Sequence, residues 1–284
     1  MEIAALSVLP IEEAARYSRT RFPVKIYLPL ALFLCTAALA GGRPMEPINL
    51  MLAFVLALSL LYQFRLWDDL SDREFDRLDH PERVLARTTS VTFFRTGVFV
   101  AFLYNFTLIG VSAGSSWQLK AIVFALLNGS FFVWYRWRSE LCHNEIAGSH
   151  VVLGKYPIFV YLLSGESAAT SSVRLALAML LVYLCFCVYE LLHDARLHQG
   201  PGALKTLAIE MTALWVVSAV MAIVLADRGG PAVILQTTLT AAGGFCLTML
   251  FLRRRAGVQT DIESYAVFVV GFFQALTFSL GGGP

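Results

Sequence analysis

The sequence predicts an all-α, polytopic membrane bundle of about nine transmembrane helices. Apolar runs recur along the whole chain, 57% of its 284 residues are hydrophobic, and only 15% are charged. Soluble domains carry about a quarter charged residues, so an ordinary soluble fold is excluded. No stretch alternates polar and apolar residues as a half-buried strand would, and in lipid only helices and closed barrels satisfy their own backbone. The simplest organisation is a single membrane domain over residues 1–284, with residues 1–22 as an N-terminal arm.

Taken in order, the arm lacks the layout of a signal peptide. Glu2, Glu12, Glu13, Arg16, Arg19 and Arg21 interrupt it, and residues 10–19 suit a short interfacial helix. A spanning helix needs about 20 mostly apolar residues. Such segments fall at about 23–41, 47–66, 91–112, 117–135, 147–164, 172–191, 205–226, 231–252 and 263–281. The fifth carries two ionisable residues, His150 and Lys155. The seventh has no Pro or Gly, and the eighth, after Pro231 at its first position, is interrupted only by Gly243-Gly244. No internal repeat marks the chain as a transporter built from two halves.

Loop charges set the expected orientation. Arg16, Arg19, Arg21 and Lys25 precede the first span, and Arg73, Arg77, Arg83, Arg87 and Arg95 follow the second. Arg136 and Arg138 follow the fourth, Arg196 and Lys205 the sixth, and Arg253, Arg254 and Arg255 the eighth. The alternate connections hold only Arg43, Arg174 and Arg228. The N-terminus is therefore expected in the cytoplasm, in a cytoplasmic or inner membrane of a prokaryote-like cell. Glu166, near the opposite face, needs no catalytic role. A net charge of +2 gives no reason to expect nucleic acid. The five cysteines form no CxxC pair and no zinc-ligand spacing, and read as small core residues.

The second span ends in Asp68-Asp69-Leu70-Ser71-Asp72-Arg73-Glu74-Phe75-Asp76-Arg77, with no Gly or Pro before Pro81. Helix can therefore continue past the membrane. At about 100° per residue, Asp69, Asp72 and Asp76 share a face, with Asp68 close by. Like charges one turn apart repel unless a cation joins them. Mg²⁺ takes one or two protein carboxylates and fills its other positions with water and substrate phosphate. A plain solvated loop is the alternative. Helical spacing, the position at the membrane border and the interleaved Arg65, Arg73, Arg77 and Arg83 speak for a polyanion bridged by metal.

Asp68-Asp69-x-x-Asp72-x-x-x-Asp76-Arg77, followed by Asp79-His80-Pro81-Glu82-Arg83, resembles the first aspartate-rich motif of the UbiA-type membrane prenyltransferase superfamily. That motif is usually Asn-Asp-x-x-Asp-x-x-x-Asp with a Lys-Pro-x-Arg-like stretch after it. Here Asp68 stands where Asn is usual. Glu190-Leu191-Leu192-His193-Asp194 and Gly202-Ala203-Leu204-Lys205-Thr206 resemble the second motif, with Glu190 in place of its first Asp and a possible insertion over 197–201. Tyr135 and Arg138 lie where the family carries a Tyr-x-x-x-Lys-like element, at a different spacing.

The resemblance implies Mg²⁺-dependent transfer of a prenyl group from an isoprenoid diphosphate to an aromatic or other lipid-soluble acceptor. It implies metal ligands at Asp68, Asp69, Asp72, Asp76, Glu190 and Asp194. Asp72, Asp76 and Lys155 are expected at the reaction centre, Lys155 because a charge inside a span normally faces the bundle interior. Arg21, Lys25, Arg65, Arg77, Arg83, Arg138 and Lys205 are the expected diphosphate contacts. Tyr62, Trp67 and Tyr135 are candidates to face the allylic cation, with Phe64 and Trp137 near in sequence. Two other readings compete. A UbiA-like terpene cyclase would ionise the same diphosphate without an acceptor, and an inactive scaffold or transporter would keep only the fold.

Overall fold

The structure is a computed structural model that describes residues 10–40, 46–165, 173–194, 197, 202–226, 230–258, 260 and 262–281. Glu2, Arg43, Glu166, Arg196 and Arg228, and most of the stretch 197–201, lie outside the described residues.

Thirteen α-helices are described: α1 Pro10–Arg21, α2 Val24–Leu39, α3 Pro47–Ser71, α4 Arg73–Asp79, α5 Val84–Arg87, α6 Val91–Ser112, α7 Trp117–Leu141, α8 Glu145–Leu153, α9 Lys155–Leu163, α10 Val173–His193, α11 Ala203–Ala226, α12 Pro231–Arg255 and α13 Ala266–Leu280. Eight helical segments are long and apolar enough to cross a bilayer, and a ninth appears if α1 and α2 count as one bent span. Each expected segment has its helix. The all-α membrane bundle is thus the observed architecture among the described residues.

Two bends have causes in the sequence. Pro23 separates α1 from α2, which meet at 68°. Proline supplies no N–H and pushes the preceding residue out of helical conformation. In the fifth span, Pro157 cannot donate to the carbonyl of Leu153 four residues back. The helix breaks there at Gly154, into α8 and α9.

α10 is the most enclosed span and α6 the most lipid-exposed. Around α10 pack α2, α8, α9, α11 and α13, while α3 packs on α2, α6 and α9. Leu181, Val182, Cys185, Val188 and Leu192 of α10 are fully buried with Leu34, Leu56, Leu60, Phe64 and Phe159. All five cysteines are free, and Cys35, Cys185 and Cys187 are buried in this core. Close approach relies on small residues. A Cβ on Gly271 would lie 2.6 Å from the Cys185 sulfur, and one on Gly244 would lie 2.7 Å from the Trp215 indole nitrogen. Buried amides are chained across three helices, Asn105 donating to Gln63 and Gln63 to Asn128, each over 2.7 Å.

Candidate active site

The aspartate run lies where α3 turns into α4. Helical hydrogen bonds continue through it, from Asp72 N to Asp68 O, from Asp76 N to Asp72 O and from His80 N to Asp76 O. Asp72 caps both helices with φ −89 and ψ 0, so the expected continuation past the membrane is present with one bend. Helix ends at Asp79, just before Pro81.

The four aspartates fan out, each toward a different basic partner. Asp68 accepts from Lys155 Nζ at 2.5 Å and from the Tyr135 hydroxyl. Buried Asp69 accepts from Tyr17 Oη at 2.9 Å, from Arg21 Nη2 at 2.7 Å and Nε at 3.0 Å, and pairs with Arg65 at 3.2 Å. Asp72 pairs with Arg138 at 2.5 Å and is half exposed. Asp76 is buried against Arg83. Burial pushes the Asp76 carboxyl up from the ordinary carboxylate range, and the Arg83 guanidinium opposes that shift.

Lys155 anchors the interior side. It is 3% exposed, on the first turn of α9. Its ammonium lies 5.5 Å from the Tyr156 ring centroid, 5.7 Å from Phe131 and 6.0 Å from Phe64. Trp67 and Tyr135 extend this aromatic wall, their rings 5.4 Å apart. A charge buried this deeply persists only with a partner, and Asp68 supplies it. The arrangement is a short stack of acid, ammonium and aromatic faces opening into the apolar bundle.

The arm closes the other side. α1 buries Tyr17 against Phe94 and Tyr62 and sends Arg21 to Asp69. Glu13 accepts from the Thr88 hydroxyl at 2.5 Å. Arg73 holds the same connection by donating to the carbonyls of Leu85 and Thr88.

Several expected residues are not brought to this cluster. Lys25 and Lys205 are exposed, with no ion pair among the described residues. Arg77 turns outward to Glu74 at 2.9 Å. Tyr62 lies under the arm, meeting Ser18 Oγ at 3.2 Å and the Phe22 ring at 5.2 Å, rather than facing the interior. The sequence pattern placed these groups near the acidic run, but their helix faces point them elsewhere. Arg21, Arg65, Arg83, Arg138 and Lys155 do converge on it, as do Trp67 and Tyr135. Tyr17, Phe131 and Tyr156 complete the site and went unnoticed in the sequence. Only Tyr156, next to Lys155, carried a local signal.

Glu190 and Asp194 lie one turn apart at the end of α10, where Asp194 N donates to Glu190 O at 2.9 Å. Glu190 is half-buried there, and Lys155 and Arg65 are among the charges that act on its carboxylate. His193 stacks on Tyr189 with ring centroids 5.0 Å apart. Among the described residues no three His, Cys, Asp or Glu side chains converge as a ready-made metal cage.

Fold and spans together define an integral membrane protein with the fold of the UbiA-type prenyltransferases. The particular structure it resembles is one described for digeranylgeranylglyceryl phosphate synthase in membranes. The TM-score is 0.64 at 10% identity, over 95% of this chain and 99% of that one. At that identity the likeness is one of fold. No protein-family model matches the chain, and no curated protein matches it.

Proposed function

We propose that this protein transfers a prenyl group from an isoprenoid diphosphate to an aromatic or other lipid-soluble acceptor, with Mg²⁺. The observation that carries the reading is the fan of four aspartates, each held by its own cation, at the mouth of an aromatic and apolar interior. The fold shared with a membrane prenyltransferase supports it.

The donor set suits the ion. Asp68, Asp69, Asp72 and Asp76 offer hard oxygens, but they do not close a cage by themselves. That fits an ion that completes its shell with water and substrate phosphate rather than with protein alone. Glu190 and Asp194 offer a second, smaller set opposite. When bound, Mg²⁺ would neutralise diphosphate oxygens as negative charge builds on the leaving group.

The protein's own groups would do the rest. Arg21, Arg65, Arg138 and Lys155 now pair with carboxylates and would turn to the incoming diphosphate. Their guanidinium and ammonium donors then meet the oxygens that gain charge as the allylic C–O bond breaks. Phe64, Phe131 and Tyr156, whose rings now surround the Lys155 ammonium, would stabilise the developing cation in the same way. The arm, docked through Tyr17 and Glu13, shields the charged cluster from bulk water.

The test is incubation of the full chain in vesicles with Mg²⁺, a panel of prenyl diphosphates and candidate quinone precursors, read by mass spectrometry. Mg²⁺-dependent diphosphate release and a prenylated acceptor are expected. A cyclic hydrocarbon formed without acceptor would replace the reading by a cyclase. Release that is unchanged in Asp72→Ala and Asp76→Ala would end the enzyme reading altogether.

A further inference from the structure

A second cluster of ionisable groups gathers where α8, α10 and α11 meet. His150 Nε2 of α8 lies 2.8 Å from Glu210 Oε1 of α11. Its Nδ1 lies 3.0 Å from the Tyr183 hydroxyl and 3.3 Å from the Cys187 sulfur, both on α10. Three titratable side chains from two helices thus meet around one imidazole from a third. Cys187 lies about 9 Å below the end of α10 at 1.5 Å per residue.

Glu210 is 5% exposed and Cys187 is 1% exposed, while the His150 side chain is 27% exposed. Neither oxygen of Glu210 has a hydrogen-bond partner among the described residues, so His150 and Glu210 meet at ion-pair distance without the alignment of a hydrogen bond. A carboxylate in a membrane interior needs a counter-charge, and among the described residues His150 is the basic group set against it. With Nε2 beside Glu210, Nδ1 is the ring nitrogen that faces Tyr183 and Cys187. Tyr183, Cys187 and Glu190 are spaced i, i+4 and i+7 along α10, so they lie on one stripe of that helix. The cluster therefore adjoins the interior in which the reaction would run, without belonging to the charged cluster itself.

Prenyl transfer to an O–H or aromatic C–H acceptor leaves a proton to dispose of. The allylic C–O bond breaks with its electron pair staying on the diphosphate oxygen. A new bond forms between the allylic carbon and the acceptor, and the acceptor's proton departs. The aspartate cluster, filled with cations, is a poor place for that proton. We propose that His150 and Glu210, joined at 2.8 Å between α8 and α11, form a proton-accepting dyad that takes the proton released by the acceptor. His150 Nδ1 receives it, directly or through the Tyr183 hydroxyl. The resulting imidazolium is held by the Glu210 carboxylate, and the partly exposed ring returns the proton to solvent before the next turnover.

This inference rests on the prenyl-transfer reading, and its test separates the two. His150→Gln and Glu210→Gln would be prepared as full chains in vesicles. Each would be assayed for diphosphate release from geranylgeranyl diphosphate with Mg²⁺ alone, and for prenylation of a panel of lipid-soluble phenols. The expected result is a fall of about 10²-fold in phenol prenylation, the usual scale for losing a general base, with diphosphate release unchanged. A parallel fall in both rates marks the pair as structural and overturns the proposal, as does prenylation at the wild-type rate. Wild-type protein that releases no diphosphate sinks the prenyl-transfer reading and this inference with it. A second measurement needs no substrate: the imidazole titration of His150 followed by nitrogen NMR in vesicles. Removing the carboxylate in Glu210→Gln should move that titration to lower pH, because the imidazolium loses its counter-charge. Glu210→Asp, which keeps the charge, should restore part of the shift. A titration that ignores both substitutions would show that the two groups do not share a proton.

Discussion

The acidic groups at the end of α3 and those at the end of α10 lie across the bundle from each other and are built in opposite ways. Every aspartate of the first set has a basic partner from another element, namely Lys155 of α9, Arg21 of α1, Arg138 of α7 and Arg83 before α5. Glu190 of the second set has no ion pair among the described residues and feels Lys155 and Arg65 only at a distance. The first set, with Arg65 as a second partner of Asp69, brings five cations to four carboxylates and holds its neighbours in place. Glu190 stands without such a partner. A ligand arriving at the first set would have to displace those partners.

That contrast can be broken at its strongest point first. Asp72 is half exposed and pairs with one arginine, so Asp72→Ala should leave stability within about 0.5 kcal/mol. The same change should lower Mg²⁺-dependent diphosphate release by about 10²–10³-fold, the scale of losing one preorganised charge-stabilising group. Thermal unfolding and a diphosphate-release assay on one preparation check both halves. Asp69→Asn should act the other way round. It strips Arg21, Arg65 and Tyr17 of the negative charge they share and replaces one accepting oxygen with a donor, which should cost roughly 2–3 kcal/mol, less than a fully buried pair because both arginines are partly exposed. Undocking of α1 would show as protease cleavage near Arg21.

Smaller effects test the second set. Glu190→Gln should leave the melting temperature alone and raise the Mg²⁺ concentration for half-maximal release about tenfold, the loss of one ligand contact. Unchanged Mg²⁺ dependence would remove Glu190 from the site. Arg83→Ala should move the acid limb of the pH–rate profile upward. Burial already raises the Asp76 carboxyl, and Arg83 is the group that lowers it. With that cation gone, protonation sets in at higher pH, and activity that needs the carboxylate is lost sooner on acidification. Lys25→Ala with Lys205→Ala should change release by less than about twofold, since both side chains are exposed and away from the cluster.

What the sequence made legible follows from how local each signal is. Apolar length located the eight long spans and the bent ninth, because lipid imposes that length on every helix separately. Helical spacing grouped the aspartates, and the turn-to-turn hydrogen bonds from Asp68 to His80 keep that grouping. Their partners were not legible in the same way. Asp68 and Lys155 are 87 residues apart, and Tyr17 and Asp69 are 52 apart, so their meeting depends on how whole helices pack. Proximity in sequence misled for Arg77 and Tyr62, which sit beside the run but on other faces. Glu210 went unnoticed although the rule that singled out Lys155 and His150, an ionisable residue within a span, applies to it equally.

The docking of α1 has a consequence for the order in which the chain is made. Its anchors are Asp69, 48 and 52 residues downstream of Arg21 and Tyr17, and Thr88, 75 residues downstream of Glu13. While the ribosome is still producing the first two spans, the arm has nothing to hold. It can settle only after the stretch around residue 88 has emerged. Nascent chains stalled before that point should leave the arm open to protease, and chains stalled well beyond it should protect it.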